Sequence, residues 1–265
     1  MKQKASKKTK SLNYITRFWI VYSGFLFIAV MMFVGISNEW FGPMPSFEEL
    51  ENPHSSLASE VYSSDGKILG NYYIENRSNV DYRDLSPYLV SALIAAEDIR
   101  FARHSGIDMK ALFRVAYGVL TGNSGKGGGS TITQQLAKNL FPRTSNPSIM
   151  TLSIAKLKEW VTAAKLERNY TKQEIIAMYL NTIPYGSQSY GIKAASKTFF
   201  NTTPDSLKLE EAAMMVGVVN APTYYSPVRN PERAFEKRNV VLYQMKKYGY
   251  ITQQVFDSVS MIPIN

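Results

Sequence analysis

"SALIAAEDIRFARHSGID", residues 91–108, begins with small and apolar side chains, sets Glu97 and Asp98 side by side, and follows them with Arg100, Arg103 and His104. The apolar half reads as a buried helix, and the paired acids fall at its C-terminal end. Carboxylates there are repelled by the negative end of the helix dipole, so helix stability does not explain them. A solvated helix terminus is the plain alternative; a site of proton chemistry is the sharper one.

Helix starts recur on both sides of this stretch. Ser86-Pro87 puts a capping residue before a proline at the first helical position, and Asn230-Pro231-Glu232 repeats the pattern with an acid in the first turn. Thr171 and Glu174 make a capping box ahead of "IIAMYL", and Gly249 can stop the helix of "RAFEKRNVVLYQMKKY". In "SEVYSSDGKILGNYYI" two β-prone runs flank Asp65-Gly66, a hairpin turn signal. The expected fold class is mainly α with a small N-terminal β element, and the sequence carries no internal repeat.

The N-terminus predicts location. "FWIVYSGFLFIAVMMFVGI", residues 18–36, holds no charge and is long enough to cross about 30 Å of hydrocarbon as a helix. Before it lie Lys2, Lys4, Lys7, Lys8, Lys10 and Arg17 with no acid, which places the tail in the cytoplasm and the remainder outside. A cleaved signal peptide is the competing reading, against which stand the length of the run and the lack of an A-x-A-like site. The expected organisation is a basic tail over 1–17, a membrane helix over 18–36, a linker over 37–51, one domain over 52–250 and an extension over 251–265.

Those six basic residues carry most of the net charge of +9, leaving about +3, too little for a nucleic-acid footprint. The absence of cysteine excludes thiol nucleophiles and thiolate metal sites, and two histidines argue against a histidine-rich metal centre.

Beyond Asp108, the apolar residues Met109, Leu112, Phe113, Val115, Ala116, Val119 and Leu120 spread over more of a helix than one face. This segment fits a helix on a membrane surface or one buried in the core. "TGNSGKGGGS" lacks P-loop spacing and reads as a mobile loop. After it, Ser130, Thr131, Thr133, Gln134, Gln135, Lys138 and Asn139 form a dense row of hydrogen-bonding side chains suited to a polyhydroxylated or phosphorylated ligand. In "SIAKLKEWVTAAKLERNY", Ile154, Leu157, Val161 and Ala164 are expected to form a buried stripe, with Lys156 and Glu159 together on another face.

Five blocks in order, "EDIRFARHSG", "GGSTITQQLAKN", "KLKE", "EIIAMYLNTIPYGSQSYGIKAAS" and "EKRNVVL", resemble the motifs of the peptidoglycan glycosyltransferase domain. That domain, glycosyltransferase family 51, occurs in class A penicillin-binding proteins and monofunctional transglycosylases. The resemblance covers roughly residues 52–250 and implies a lysozyme-like α fold. It also implies lipid II as substrate, the growing glycan strand and membrane lipid as partners together with cell-wall synthesis or division proteins, and a place on the outer face of the bacterial cytoplasmic membrane. No cofactor is implied as required, and a divalent metal ion is allowed.

The resemblance assigns roles residue by residue. Glu97 is the general base that takes a proton from the attacking sugar hydroxyl, and Asp98 supports that site. Ser130, Thr131, Gln134, Gln135, Lys138 and Asn139 line the donor site, with Lys138 near the pyrophosphate and Lys156 adding positive charge. Glu159 is the family's second glutamate, which orients the donor and nearby cations. Tyr179, Asn181, Gly186 and Gly191 shape the cleft, Arg238 takes a structural part, and His104 takes either a structural hydrogen-bonding part or contact with substrate. One departure stands out: Ala155 occupies the place of an arginine that usually opens the third motif, and Arg143 is the expected substitute cation.

Two other functions share the scaffold: a lytic muramidase-type enzyme, in which a glutamate acts as general acid, and a noncatalytic cell-wall scaffold. The lead-in over residues 41–70 is closer to the class A proteins, which suggests a piece of a longer, bifunctional chain.

Overall fold

The computed structural model describes residues 2–42, 59–62, 68–72, 79–122, 128–140 and 148–264. The hairpin turn at Asp65-Gly66, the interior of the glycine-rich loop and Arg143 lie outside the described residues. Mainly helical architecture is what the hydrophobic pattern predicts and what is found. The chain forms two compact units, residues 1–44 with 146–161, and residues 45–145 with 162–265.

The first unit holds α1 (Lys2–Ser37) and the first half of α5 (Ile149–Asn169). Within α1, Asn13–Ser37 is the one helical stretch among the described residues that is long and apolar enough to cross a membrane. Phe18, Trp19 and Tyr22 form a ring cluster at its start, where amphipathic aromatics suit a membrane interface. At its end the chain turns back: the Trp40 N–H donates to the Gly35 carbonyl at 2.9 Å, and Lys158 Nζ donates to the Gly42 carbonyl at 3.2 Å.

In the second unit, β1 (Ser59–Tyr62) pairs antiparallel with β2 (Ile68–Tyr72), with Ser59 opposite Tyr72 and an irregularity at Val61/Tyr62. The core is helical. It comprises α2 (Pro87–Glu97), α3 (Met109–Leu120), α4 (Ile132–Leu140), the second half of α5, α6 (Lys172–Thr182), α7 (Gly191–Phe200), α8 (Leu209–Val219), α9 (Pro231–Lys247) and α10 (Gln253–Ser260). Strands β3 (Pro184–Gly186) and β4 (Ser189–Tyr190) make a short ribbon between α6 and α7. The central helix α8, "LEEAAMMVGVV", is buried almost all round and packs on α2 and α9. Leu89 and Leu93 of α2 meet Ala212, Met215 and Val216 of α8 and Leu242 of α9, each large side chain contributing about 1.5–3 kcal/mol by leaving water.

The capping residues behave differently from one another. Thr171 and Glu174 form the expected reciprocal box, with the Thr171 N–H donating to the Glu174 carboxylate at 2.7 Å. Ser86 stands at the N-cap of α2, but its hydroxyl donates to the Leu207 carbonyl at 2.9 Å. A buried hydroxyl must be satisfied, and a turn 121 residues away supplies the acceptor. Asn230 likewise spends its amide on the Thr223 carbonyl at 3.2 Å.

The expected stripe on α5 is overturned. Ile154, Leu157 and Val161 are half-buried and Ala164 is exposed, whereas Glu159, Thr162, Ala163 and Leu166 are buried. In the second unit this face is placed by backbone contact at Ala163, where a Cβ on Gly106 would lie 2.8 Å from the carbonyl oxygen, while Leu166 joins the apolar core. For the segment after Asp108, the structure decides against a core helix. Met109, Phe113, Tyr117 and Leu120 are exposed and lie along one face of α3, while Ala111 and Gly118 point inward.

Arg238, 1% exposed, takes the expected structural part. Its Nη1 donates to the Ile262 carbonyl at 2.7 Å and its Nη2 to that of Ser260 at 3.1 Å, which fastens the segment after α10 to α9. Removing it takes the donor from the partly buried Ile262 carbonyl and leaves that of Ser260 to Asn239 Nδ2 alone, at 3.1 Å. Arg238→Ala is expected to lower stability in urea unfolding by about 2–4 kcal/mol, while the exposed Arg168→Ala stays within about 0.5 kcal/mol of the parent.

Candidate active site

Helix α2 ends where its two acids diverge. The Asp98 N–H still donates to the Ile94 carbonyl, but Asp98 itself leaves the helix with φ −156° and ψ 74°. Asp98 turns inward and is 7% exposed. Its carboxylate lies 2.9 Å from His104 Nε2 and accepts the Ile132 N–H at 3.2 Å, so it caps α4 from a distant part of the chain. Glu97 remains half-buried at the helix end.

Two amides hold the Glu97 carboxylate. Gln135 Nε2 donates to Oε2 at 2.8 Å, and Asn220 Nδ2, at the end of α8, donates to Oε1 at 2.7 Å. Behind Gln135, the Tyr179 hydroxyl donates to its Oε1 at 2.9 Å. Burial, then the neighbouring Glu97 carboxylate, pushes the Tyr179 hydroxyl well above the ordinary phenol value, so it stays a donor. The result is a one-way relay: phenol to amide oxygen, amide nitrogen to carboxylate.

The other predicted residues divide by what they touch. Thr131 Oγ1 and Gln134 Nε2 both donate to the Gly106 carbonyl, at 2.7 and 3.2 Å, and both side chains are buried. Gly106, at φ +85°, has no room for a side chain and lets the loop lie on α5. Ser130 is half-buried beside Thr131, and on the last turn of α4 Lys138 is exposed and Asn139 half-buried. In the first unit Lys156 Nζ lies 2.9 Å from Glu159 Oε2, and Glu159 is 6% exposed.

Glu97 opens onto a cleft of about 570 Å³ whose wall includes Arg100, Asp108, Arg114, Ser130 and Lys247. The sequence reading assigned no role to these three cations or to Asn220. Asn220 carried one signal, a lone amide closing the apolar run "MMVGVV" before Ala-Pro. The cations carried none, because a surface lysine or arginine looks the same in sequence. Arg100 Nη2 pairs with Asp108 Oδ2 at 2.6 Å, and Asp108 Oδ1 also accepts the Ala111 N–H at the start of α3. Burial alone raises the Asp108 carboxyl; the Ala111 N–H and the Arg100 guanidinium outweigh it and hold the carboxyl below its ordinary value. Among the described residues no group of three or more His, Asp or Glu is gathered that could hold a metal ion.

A carboxylate held by two amides thus shares one cleft with three cationic side chains. The family model for the transglycosylase domain matches residues 65–246, so the chain belongs to the transglycosylase family, the peptidoglycan glycosyltransferases. Its relatives are class A penicillin-binding proteins: it is 38% identical over 222 residues to penicillin-binding protein 1A of Pseudomonas aeruginosa, covering 84% of this chain and 26% of that protein. Identity to penicillin-binding protein 1A of Escherichia coli K12 is 38% over 222 residues, with the same coverage of 84% and 26%. For that of Aquifex aeolicus it is 37% over 246 residues, covering 91% and 33%. The chain thus spans about a quarter to a third of the length of these relatives.

Because the Asp108 carboxyl is lowered by folding, the stability it contributes is fully present above the unfolded value and is lost as pH falls through the lowered folded value. In thermal unfolding from about pH 7 down to about pH 3, the parent is expected to exceed Asp108→Asn at neutral pH, with the gap closing below about pH 4. A gap independent of pH would remove the carboxylate from this role.

Proposed function

We propose that this peptidoglycan glycosyltransferase domain polymerises lipid II into glycan strands with inversion at the sugar carbon, releasing undecaprenyl pyrophosphate. The carrying observation is the Glu97 carboxylate gripped by Gln135 and Asn220 at the edge of a cation-lined cleft. Glu97 takes the proton from the 4-hydroxyl of the acceptor GlcNAc as that oxygen attacks C1 of the donor MurNAc. The C1–O bond to the pyrophosphate breaks, and cations balance the charge that appears there. The two amides fix the direction of the carboxylate, which keeps the acceptor oxygen in line.

Asp98 supports this arrangement without sharing the proton, because its oxygens are engaged by His104 and the Ile132 N–H. Lys138, exposed on α4, and Arg114, beside the glycine-rich loop, are suited to the pyrophosphate. Gln134 and Thr131 keep the loop in place, while Gln135 acts through the base. Ser130 and Asn139 remain the donor-facing polar groups. For the Lys156–Glu159 pair we keep the part of a cation ordered by a carboxylate, and Arg143 keeps that of substitute for the arginine missing at Ala155.

The exposed row Met109, Phe113, Tyr117 and Leu120 suits contact with lipid, consistent with a lipid-linked substrate. With the basic residues of the N-terminal part of α1 on the cytoplasmic side, the domain works on the outer face of the membrane. It is organised as a cytoplasmic tail, an anchor, a linker and the domain, with a short extension that Arg238 ties down.

Labelled lipid II tests the reading. Detergent-solubilised parent is expected to form polymer, and Glu97→Gln, folded by circular dichroism, to lose at least about 100-fold in rate. Absence of polymer from a folded parent, with cleavage of preformed glycan in its place, would support the muramidase reading; glycan binding alone would support a scaffold. Asn220→Ala is expected to slow polymerisation by about 10-fold, as a positioning residue does when its partner swings free. A parental rate in that variant would show that Gln135 suffices to hold the base.

A further inference from the structure

Next to the site, a pair of tyrosines is held on a short rigid path from the base. Asn220, which donates to Glu97, is followed by Ala221 and Pro222, and the Tyr225 N–H returns to the Ala221 carbonyl at 2.9 Å, closing one turn. Gly186 braces it: at φ +82° it lies so close that a Cβ would meet the Pro222 carbonyl oxygen at 3.1 Å. From the other side Asn230 Nδ2 donates to the Thr223 carbonyl, and the Arg229 N–H donates to Ser226 Oγ.

The rings on this turn are ordered as well. Tyr224 and Tyr225 meet edge to face, with centroids 4.9 Å apart and planes at 88°. The Arg233 guanidinium sits 4.3 Å from the Tyr224 centroid, and Lys237 Nζ 5.4 Å from that of Tyr225. Tyr224 is nevertheless 50% exposed. A half-exposed phenol backed by a guanidinium, and held at no cost in loop ordering on binding, is preorganised to receive something flat.

We propose that Tyr224, with Tyr225 and Arg233 behind it, is a saccharide-stacking platform for units of the glycan strand outside the reacting pair. The occupant follows from continuity with the base: a strand whose terminal sugar reacts at Glu97 must leave along a neighbouring surface, and this turn starts at Asn220. Sugar C–H groups stack on the electron-rich ring face, and Arg233 adds a cation for carboxylates carried on the strand. Such a contact acts on a polymer and not on the first coupling. It keeps the strand bound between additions, so local concentration favours extension over release.

The inference rests on the polymerase reading, and its test separates the two. With labelled lipid II and full-length solubilised protein, Tyr224→Ala is expected to give strands at least about threefold shorter while first coupling stays within about twofold, with Tyr224→Trp restoring length. Tyr88, equally exposed on the first turn of α2, is the control. Unchanged length in Tyr224→Ala overturns the platform. So does an equal shortening by Tyr88→Ala, or a loss of first coupling as large as the loss of length. If the parent makes no polymer, the polymerase reading fails and the platform is judged by binding. A muramidase-released glycan octasaccharide then has to shift the added emission of Tyr224→Trp, and the absence of a shift overturns it.

Discussion

A buried carboxylate ties the site together. Asp98 meets His104 and the first N–H of α4, and so joins the end of one helix, the loop that follows it and the start of another. A carboxylate taken this far from water is tolerable only because donors surround it. The helix N-terminus adds a favourable dipole at the same spot. With α4 fixed in this way, Gln135 falls opposite Glu97, and the Tyr179 hydroxyl falls behind Gln135.

Adjacent acids thereby become different groups. One backbone step separates them, but the chain leaves the helix between them, so Asp98 is enclosed while Glu97 keeps an open side toward the cleft. The enclosed one holds backbone; the open one is held by side chains and keeps access to the cleft. A second layer supports the first: Lys172 Nζ donates to the His104 carbonyl at 2.7 Å and pairs with Glu167 at 2.7 Å, across the Phe101 ring. The loop bearing His104 is thus anchored from α5 and α6, and a change in either would reach the end of α2 through Asp98.

Much of the fold was legible in the sequence for local reasons. Capping residues, proline at first helical positions and the apolar period mark helices wherever they occur, and they located α2, α6 and α9. Five ordered motifs then identified the domain. Failures came where a tertiary partner overrode local preference. Ser86 looked like a cap and became a bond to Leu207. The stripe Ile154, Leu157, Val161 and Ala164 followed from period alone, yet the face of α5 turned inward carries Glu159 and Thr162. Hydrophobic spacing reports which residues share a face, and not which face finds a partner.

The sequence by itself determined the mainly helical class, the apolar N-terminal helix and the position of the paired acids, because each depends on residues close together in the chain. Only the tertiary structure decided which acid lies open to the cleft, that Asn220 holds it from 123 residues away, and that Thr131 and Gln134 face Gly106. The reason is physical. A hydrogen bond forms between groups that folding brings to within about 3 Å, and nothing in a linear pattern encodes that approach until the core has packed.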